Sequence, residues 1–147
     1  MKAVLQRVTR ASVRVGDEVA GEIGVGLCVL LGIARRDGAE EASRLAARAA
    51  RLRIFPDDGG RFDRSLLDVG GATLVVSQFT LLGDTARGKG ARPDFSAAAP
   101  PAEAEPLYEA FCEELRLLGI SVATGVFGAR MAVELVNDGP VTILLEA

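Results

Sequence analysis

The sequence predicts an α/β protein: a mixed β-sheet or open barrel of about seven to eight strands with two helices packed on one side. Three observations point there. Polar and apolar residues alternate through the first fifteen positions. Leu27–Ile33 and the start of Ala72–Leu82 are nearly continuous apolar runs, the pattern of strands covered on both faces. Asp37–Leu52 and Leu107–Leu118 instead repeat apolar residues at helical spacing. The 147 residues, 49% hydrophobic and 25% charged, form one domain's worth of chain, residues 1–147, with a soluble globular balance.

Met1–Val15 reads as a strand with Ala3, Leu5 and Arg7 on one face and Val4, Gln6 and Val8 on the other. Gly16-Asp17-Glu18 turns it into Val19–Ile23, a β-hairpin. Leu27–Ile33 follows as a buried strand. Gly24, Gly26 and Gly32 lack the spacing of a dinucleotide fingerprint. Asp37, with Glu40 three residues on, is the expected N-cap of a helix reaching about Leu52. Ala42, Leu45, Ala46, Ala49 and Leu52 form its apolar stripe, and Arg44, Arg48 and Arg51 its outer face. That arginine row fits a solvated face paired with Glu40 and Glu41, or an RNA contact. Arg61–Asp68 has no clear period and reads as a short strand or loop.

Thr73-Leu74-Val75-Val76 continues as a buried strand and changes character at Ser77-Gln78-Phe79-Thr80. Polar groups at the end of a buried strand are where α/β sheets keep their sites. They are also where hydroxyls and amides satisfy neighbouring backbone. Arg87, Gly88, Lys89, Gly90 and Arg92 then make a small basic loop. The second helix starts at either Pro101 or Pro106 and ends at Gly119. Ile120–Val126, Met131–Val136 and Val141–Leu145 are the last strands. Asn137-Asp138-Gly139-Pro140 between the final two has the composition of a hairpin turn, and Pro140 is barred from a central strand.

Several chemistries are disfavoured by composition. The chain has no histidine, which removes Ser-His-Asp and Cys-His catalysis and makes a catalytic zinc site improbable. Cys28 and Cys112 form no CxxC pair and read as small buried hydrophobes, so neither a zinc site nor a disulfide framework is expected, and no cofactor is. Gln6, Arg7 and Arg10 interrupt any signal-peptide core, and no apolar run approaches the roughly 18–20 residues of a membrane span. The expected location is the cytoplasm, with no membrane partner. A net charge of −3 speaks against a general nucleic-acid coat while leaving room for a local patch.

Ser77-Gln78-Phe79-Thr80-Leu81 and Gly139-Pro140-Val141-Thr142 together resemble the two motifs of the D-aminoacyl-tRNA deacylase family. The resemblance runs the length of the chain, through Gln6-Arg7-Val8, Gly32, Thr124-Gly125 with Phe127, and Met131. It implies a cytosolic homodimer that hydrolyses the ester between a D-amino acid and the 3′ end of tRNA. It implies a cis Gly139–Pro140 peptide reaching from one subunit into the pocket of the other. Asn137-Asp138 matches the D-specific branch, and Lys89-Gly90 looks like an insertion in the basic loop. Ser77, Gln78, Phe79 and Thr80 are then the catalytic stretch. Gly139, Pro140, Val141, Thr142, Arg7 and Met131 bind substrate and filter chirality.

A chirality filter cannot rest on attraction for a side chain, because both enantiomers carry the same groups; a rigid wall that excludes one arrangement can. Gly139 suits that wall, since a Cβ would occupy the substrate's space. Backbone N–H groups near Phe79 and Thr80 are candidate oxyanion donors, and the ribose 2′-hydroxyl could assist the attacking water. Thr80 or Ser77 as a covalent nucleophile would lack a visible base. Arg7 could brace the Gly-Pro loop through its carbonyls or sit in a surface ion pair. The same pocket should admit glycyl-tRNA, whose amino acid is achiral. The alternatives are a non-catalytic nucleic-acid-binding module of the same fold and a metal-dependent hydrolase, the latter poorly served by the available ligands.

Overall fold

The structure is a computed structural model describing residues 1–147. Its N-terminal strand, β1 (Lys2–Val15), organises the sheet because it is long enough to serve three partners. On one side its first half pairs antiparallel with β3 (Gly26–Gly32) and its second half with β2 (Glu18–Ile23). On the other side lies β8 (Ala132–Glu146). β3 continues into β6 (Ala72–Ser77) and β6 into β7 (Val122–Thr124), both parallel pairings. The order is β2-β1-β3-β6-β7 with β8 on β1, so the sheet is mixed. A small hairpin, β4 (Phe55–Pro56) with β5 (Phe62–Arg64), stands apart.

The sheet curls until its ends almost meet. A Cβ on Gly21 in β2 would lie 2.5 Å from the Thr124 carbonyl oxygen in β7, so glycine permits that approach. Strand alternation divides the core in two. Ala3, Leu5, Leu27, Val29, Leu31 and Val75 point outward to the helices. Val8, Ala11, Val13, Cys28, Leu74 and Val76 fill the inside of the curl. Burial pushes the Cys28 thiol up to about 11, and Cys112, on the buried face of α3 (Pro101–Leu117), also to about 11. Both behave as small apolar residues.

α1 (Ala39–Arg51) and α3 pack together over the outer face, with Ala42, Leu45, Ala46 and Ala49 buried as the period requires. The cap of α1 differs from the sequence expectation. Gly38 is the N-cap, and its N–H donates to Glu41 Oε2 at 2.8 Å, holding that carboxyl below its ordinary range. Asp37 instead accepts the Met1 ammonium at 2.6 Å and the Ala34 N–H at 2.6 Å, tying the chain start to the end of β3. The stretch Arg61–Asp68, read as a short strand or loop, holds the short strand β5, and its end passes into a third helix, α2 (Leu66–Val69), capped by a reciprocal Ser65–Asp68 box. α3 begins at Pro101 and carries Pro106 within it, past the first turn where a missing N–H is harmless, since the helical bonds already start at the Ala104 N–H. No helix is long and apolar enough to cross a membrane.

The largest departure concerns residues 131–146. The expected hairpin at Asn137–Pro140 is absent, and β8 is one strand along the edge of the sheet. Gln6 pairs with Thr142 and Val8 with Asn137, so Arg7 alone faces the four residues 138–141. The turn-like composition serves a wide bulge, where an edge strand tolerates proline.

Candidate active site and the Gly-Pro bulge

A cleft of about 620 Å³ opens beyond the carboxyl ends of the parallel strands β3 and β6. Its floor is Val76, Ser77, Gln78 and Phe79, where β6 gives way to a short 3-10 turn, Phe79–Leu82. The turn packs closely on β3 because Gly32 has no side chain: a Cβ there would sit 2.5 Å from Leu82 Cδ2 and 2.9 Å from Gln78 O. The Gln78 N–H donates to Leu31 O at 2.8 Å, fixing the point where the strand ends. The first bond of the turn runs from the Leu81 N–H to Gln78 O at 3.2 Å. The N–H groups of Phe79 and Thr80 thus precede the turn's own hydrogen bonds.

The walls come from Phe95, Phe127 and Met131, with Ala104 of α3 at the back. Phe79, half exposed, meets Phe95 edge to face at 5.2 Å. Phe127 leans on Tyr108 at 5.8 Å, and the Tyr108 hydroxyl donates to Val75 O at 2.7 Å, linking α3 to the strand that carries the floor. Burial pushes the Tyr108 phenol well above its ordinary range, so it stays a donor. Met131 sits against Gly125, where a Cβ would come 2.5 Å from its sulfur. Ionisable side chains are missing from the lining, and the Thr80 hydroxyl accepts from Gln78 Nε2 at 2.5 Å. No three His, Cys, Asp or Glu side chains converge anywhere to hold a metal ion.

Of the residues expected at the site, Ser77, Gln78, Phe79 and Met131 line this cleft, and Thr80 follows on the same turn. Gly139, Pro140, Val141, Thr142 and Arg7 do not. They form a second constellation on the β8 bulge. The Gly139–Pro140 peptide is cis, and both residues are exposed. Val141 is buried in the main core and anchors the segment. Asn137 closes the bulge from within: its Nδ2 donates to Val141 O and Thr142 Oγ1, both at 3.1 Å, and its Oδ1 accepts the Val141 N–H at 2.7 Å. Arg7, only 8% exposed, donates from Nε to Asp138 O at 2.9 Å and from Nη1 to Ile54 O at 2.7 Å.

Sequence reasoning passed over Phe95 and Ala104 as cleft walls, and Ile54 and Phe62 as neighbours of Arg7. Phe95 ends the basic loop, whose base is closed by the Asp84–Asp94 bridge, and that junction of charge with an aromatic was the available signal. Nothing in the sequence pointed to Ile54 or Phe62, because they meet Arg7 only through the fold.

The family model for D-Tyr-tRNA(Tyr) deacylase matches residues 4–146. A D-aminoacyl-tRNA deacylase of Roseiflexus sp. is 63% identical over 147 residues, covering 100% of this chain and 94% of its own length. One from Deinococcus radiodurans is 55% identical over 146 residues, with 99% of each chain covered. A solved structure described as c-Myc DNA Unwinding Element Binding Protein superposes with a TM-score of 0.92 at 45% identity, covering 100% of this chain and 99% of that one.

Proposed function

This chain belongs to the D-Tyr-tRNA(Tyr) deacylase family, and we propose that it hydrolyses the ester of D-aminoacyl-tRNA, releasing the D-amino acid and tRNA. The observation that carries the reading is the full-length match to deacylases together with an open cleft at the Ser77–Thr80 strand end. The substrate is the aminoacylated 3′ end of tRNA, met in the cytoplasm, and no cofactor takes part.

The chemistry suits a cleft without an ionisable wall. An aminoacyl ester is already an activated acyl group, so the barrier left to lower is modest. The N–H groups of Phe79 and Thr80 hold the developing oxyanion, each good donor contributing about 3–4 kcal/mol. The neighbouring 2′-hydroxyl of the terminal ribose assists the attacking water. Thr80 and Ser77 act in positioning, since no base stands beside either hydroxyl to take its proton.

Chirality is read by the Gly139–Pro140 segment of a second subunit. Two features favour this arrangement: the segment is exposed on an edge strand, and it lies outside the cleft of its own chain. A homodimer would bring each bulge to its partner's cleft, where the backbone wall excludes the L arrangement whatever the side chain. Glycyl-tRNA, lacking the excluded group, is admitted and hydrolysed.

The test is incubation with matched D- and L-tyrosyl-tRNA, with and without chelator, beside sedimentation at assay concentration. The D ester should be lost and the L ester spared, chelator should change nothing, and the active species should be a dimer. Equal loss of both esters, or full activity in a monomer, would refute the cross-subunit filter. The name of the 45%-identical structure favours a second reading, a nucleic-acid-binding module without activity. Tight duplex binding with both esters intact would establish that one instead.

A further inference from the structure

The β4–β5 hairpin lies outside the cleft and outside the bulge, yet it carries an aromatic ring that its own packing does not explain. Phe62 is 56% exposed, whereas Phe55 on the facing strand is buried in the main core. Apart from Phe55, the hairpin is held by polar contacts. Asp57 Oδ1 accepts the N–H groups of Gly59 and Arg61, each at 2.9 Å, while Arg64 pairs with Asp58 at 3.0 Å and Arg53 pairs with Asp63. What the ring does meet is Arg7, whose Cζ stands 5.7 Å from its centroid, within the range of a cation–π contact.

That guanidinium is the one that grips the bulge. Its Nε donates to Asp138 O, the carbonyl immediately before Gly139, and its Nη1 to Ile54 O at the root of the same hairpin. Asp138 Oδ2 lies 3.7 Å from Nε and is half exposed, a weak and solvated supplement. Three elements thus converge on one guanidinium: β8 and the chain before β4 through its hydrogen bonds, and β5 through the ring of Phe62. A cation held by two acceptors still rocks about the line joining them, and attraction to an aromatic ring within cation–π range restrains that motion.

We propose that Phe62 is a positioning residue for the Gly139–Pro140 segment, acting through Arg7. The effect on catalysis rests on the reading of that segment as the chirality filter; the effect on Arg7 does not. Phe62→Leu keeps apolar bulk and removes the ring face, Phe62→Tyr restores the face, and Phe62→Trp enlarges it. In the full-length protein, hydrogen exchange of the Arg7 Nε–H, followed by NMR, should be about two- to fivefold faster in the leucine variant. It should return to the wild-type rate in the tyrosine variant and be slower in the tryptophan one. With D- and L-tyrosyl-tRNA, the leucine variant should lose a similar factor in the D-to-L rate ratio, through faster loss of the L ester, with D-ester KM and the dimer unchanged.

Unaltered exchange in the leucine variant would overturn the proposal, whatever the activity. If that variant does not fold, tryptophan and tyrosine variants exchanging no differently from wild type would overturn it equally. Altered exchange with an unaltered D-to-L ratio would overturn the link to the filter. A wild-type protein that leaves the D ester intact would instead remove the deacylase reading, and the exchange measurement alone would then decide the role of Phe62.

Discussion

The cleft floor at Ser77–Thr80 and the bulge at Asn137–Thr142 both interrupt a strand, but they are held in opposite ways. The floor is shaped by backbone and close packing: Gln78 N–H on Leu31 O, a 3-10 turn, and the space left by Gly32. Its side chains could change and the N–H groups of Phe79 and Thr80 would keep their place. The bulge has four residues facing one across the ladder, and its form depends on two side chains, Asn137 within and Arg7 beneath. A site built on main-chain donors tolerates substitution, whereas a backbone wall propped by side chains is only as firm as its props.

The sharpest way to break the contrast is at Arg7. Arg7→Met leaves the Asp138 and Ile54 carbonyls without their charged donor, and each such bond contributes about 1.5–3 kcal/mol. We expect a loss of about 3 kcal/mol or more in urea unfolding and a fall of at least tenfold, about 1.4 kcal/mol, in D-over-L selectivity. A variant with wild-type selectivity would show that the bulge holds itself.

Gly139→Ala probes the wall from the other side. Gly139 has φ +142°, and a Cβ there would lie 2.7 Å from Val141 Cγ2 and 3.0 Å from Val141 N. The strain should cost about 1–3 kcal/mol by calorimetry, with D-ester turnover reduced about tenfold by the shifted wall. Full turnover would place the wall elsewhere.

The smallest effect is expected on the floor. Thr80→Ala and Ser77→Ala should each stay within about tenfold of wild-type D-ester turnover, far from the roughly million-fold loss that follows removal of an activated nucleophile. Mass spectrometry of the quenched reaction should find no acyl group on either hydroxyl. A trapped acyl-enzyme would reverse the assignment and make the floor the more fragile region.

Much of this was legible in residue order. Alternation in Met1–Val15, the apolar run after Gly26 and the Ala-Leu stripe of α1 are local periodicities, imposed by strand and helix geometry wherever the segment packs. The polar break at Ser77 and the Gly139-Pro140 pair were visible for the same reason: each contradicts the pattern around it. The short α2 was missed although its Ser65–Asp68 box is a local signal, because four residues carry too little periodicity to stand out.

Other features had no local signal. Asn-Asp-Gly-Pro reads as a hairpin turn in isolation and becomes a bulge because β1 is long enough to pair on both sides of it. Pairing register is a property of two distant segments, and neither sequence states it alone. The bond from Arg7 to Asp138 spans 131 positions, and the ring of Phe62 reaches the same guanidinium from a third segment. The separation of the Gly-Pro segment from its own cleft belongs to the same class. Sequence by itself determined which residues are unusual; the tertiary structure decided which of them touch, because contact depends on how the sheet curls and which edge it leaves open.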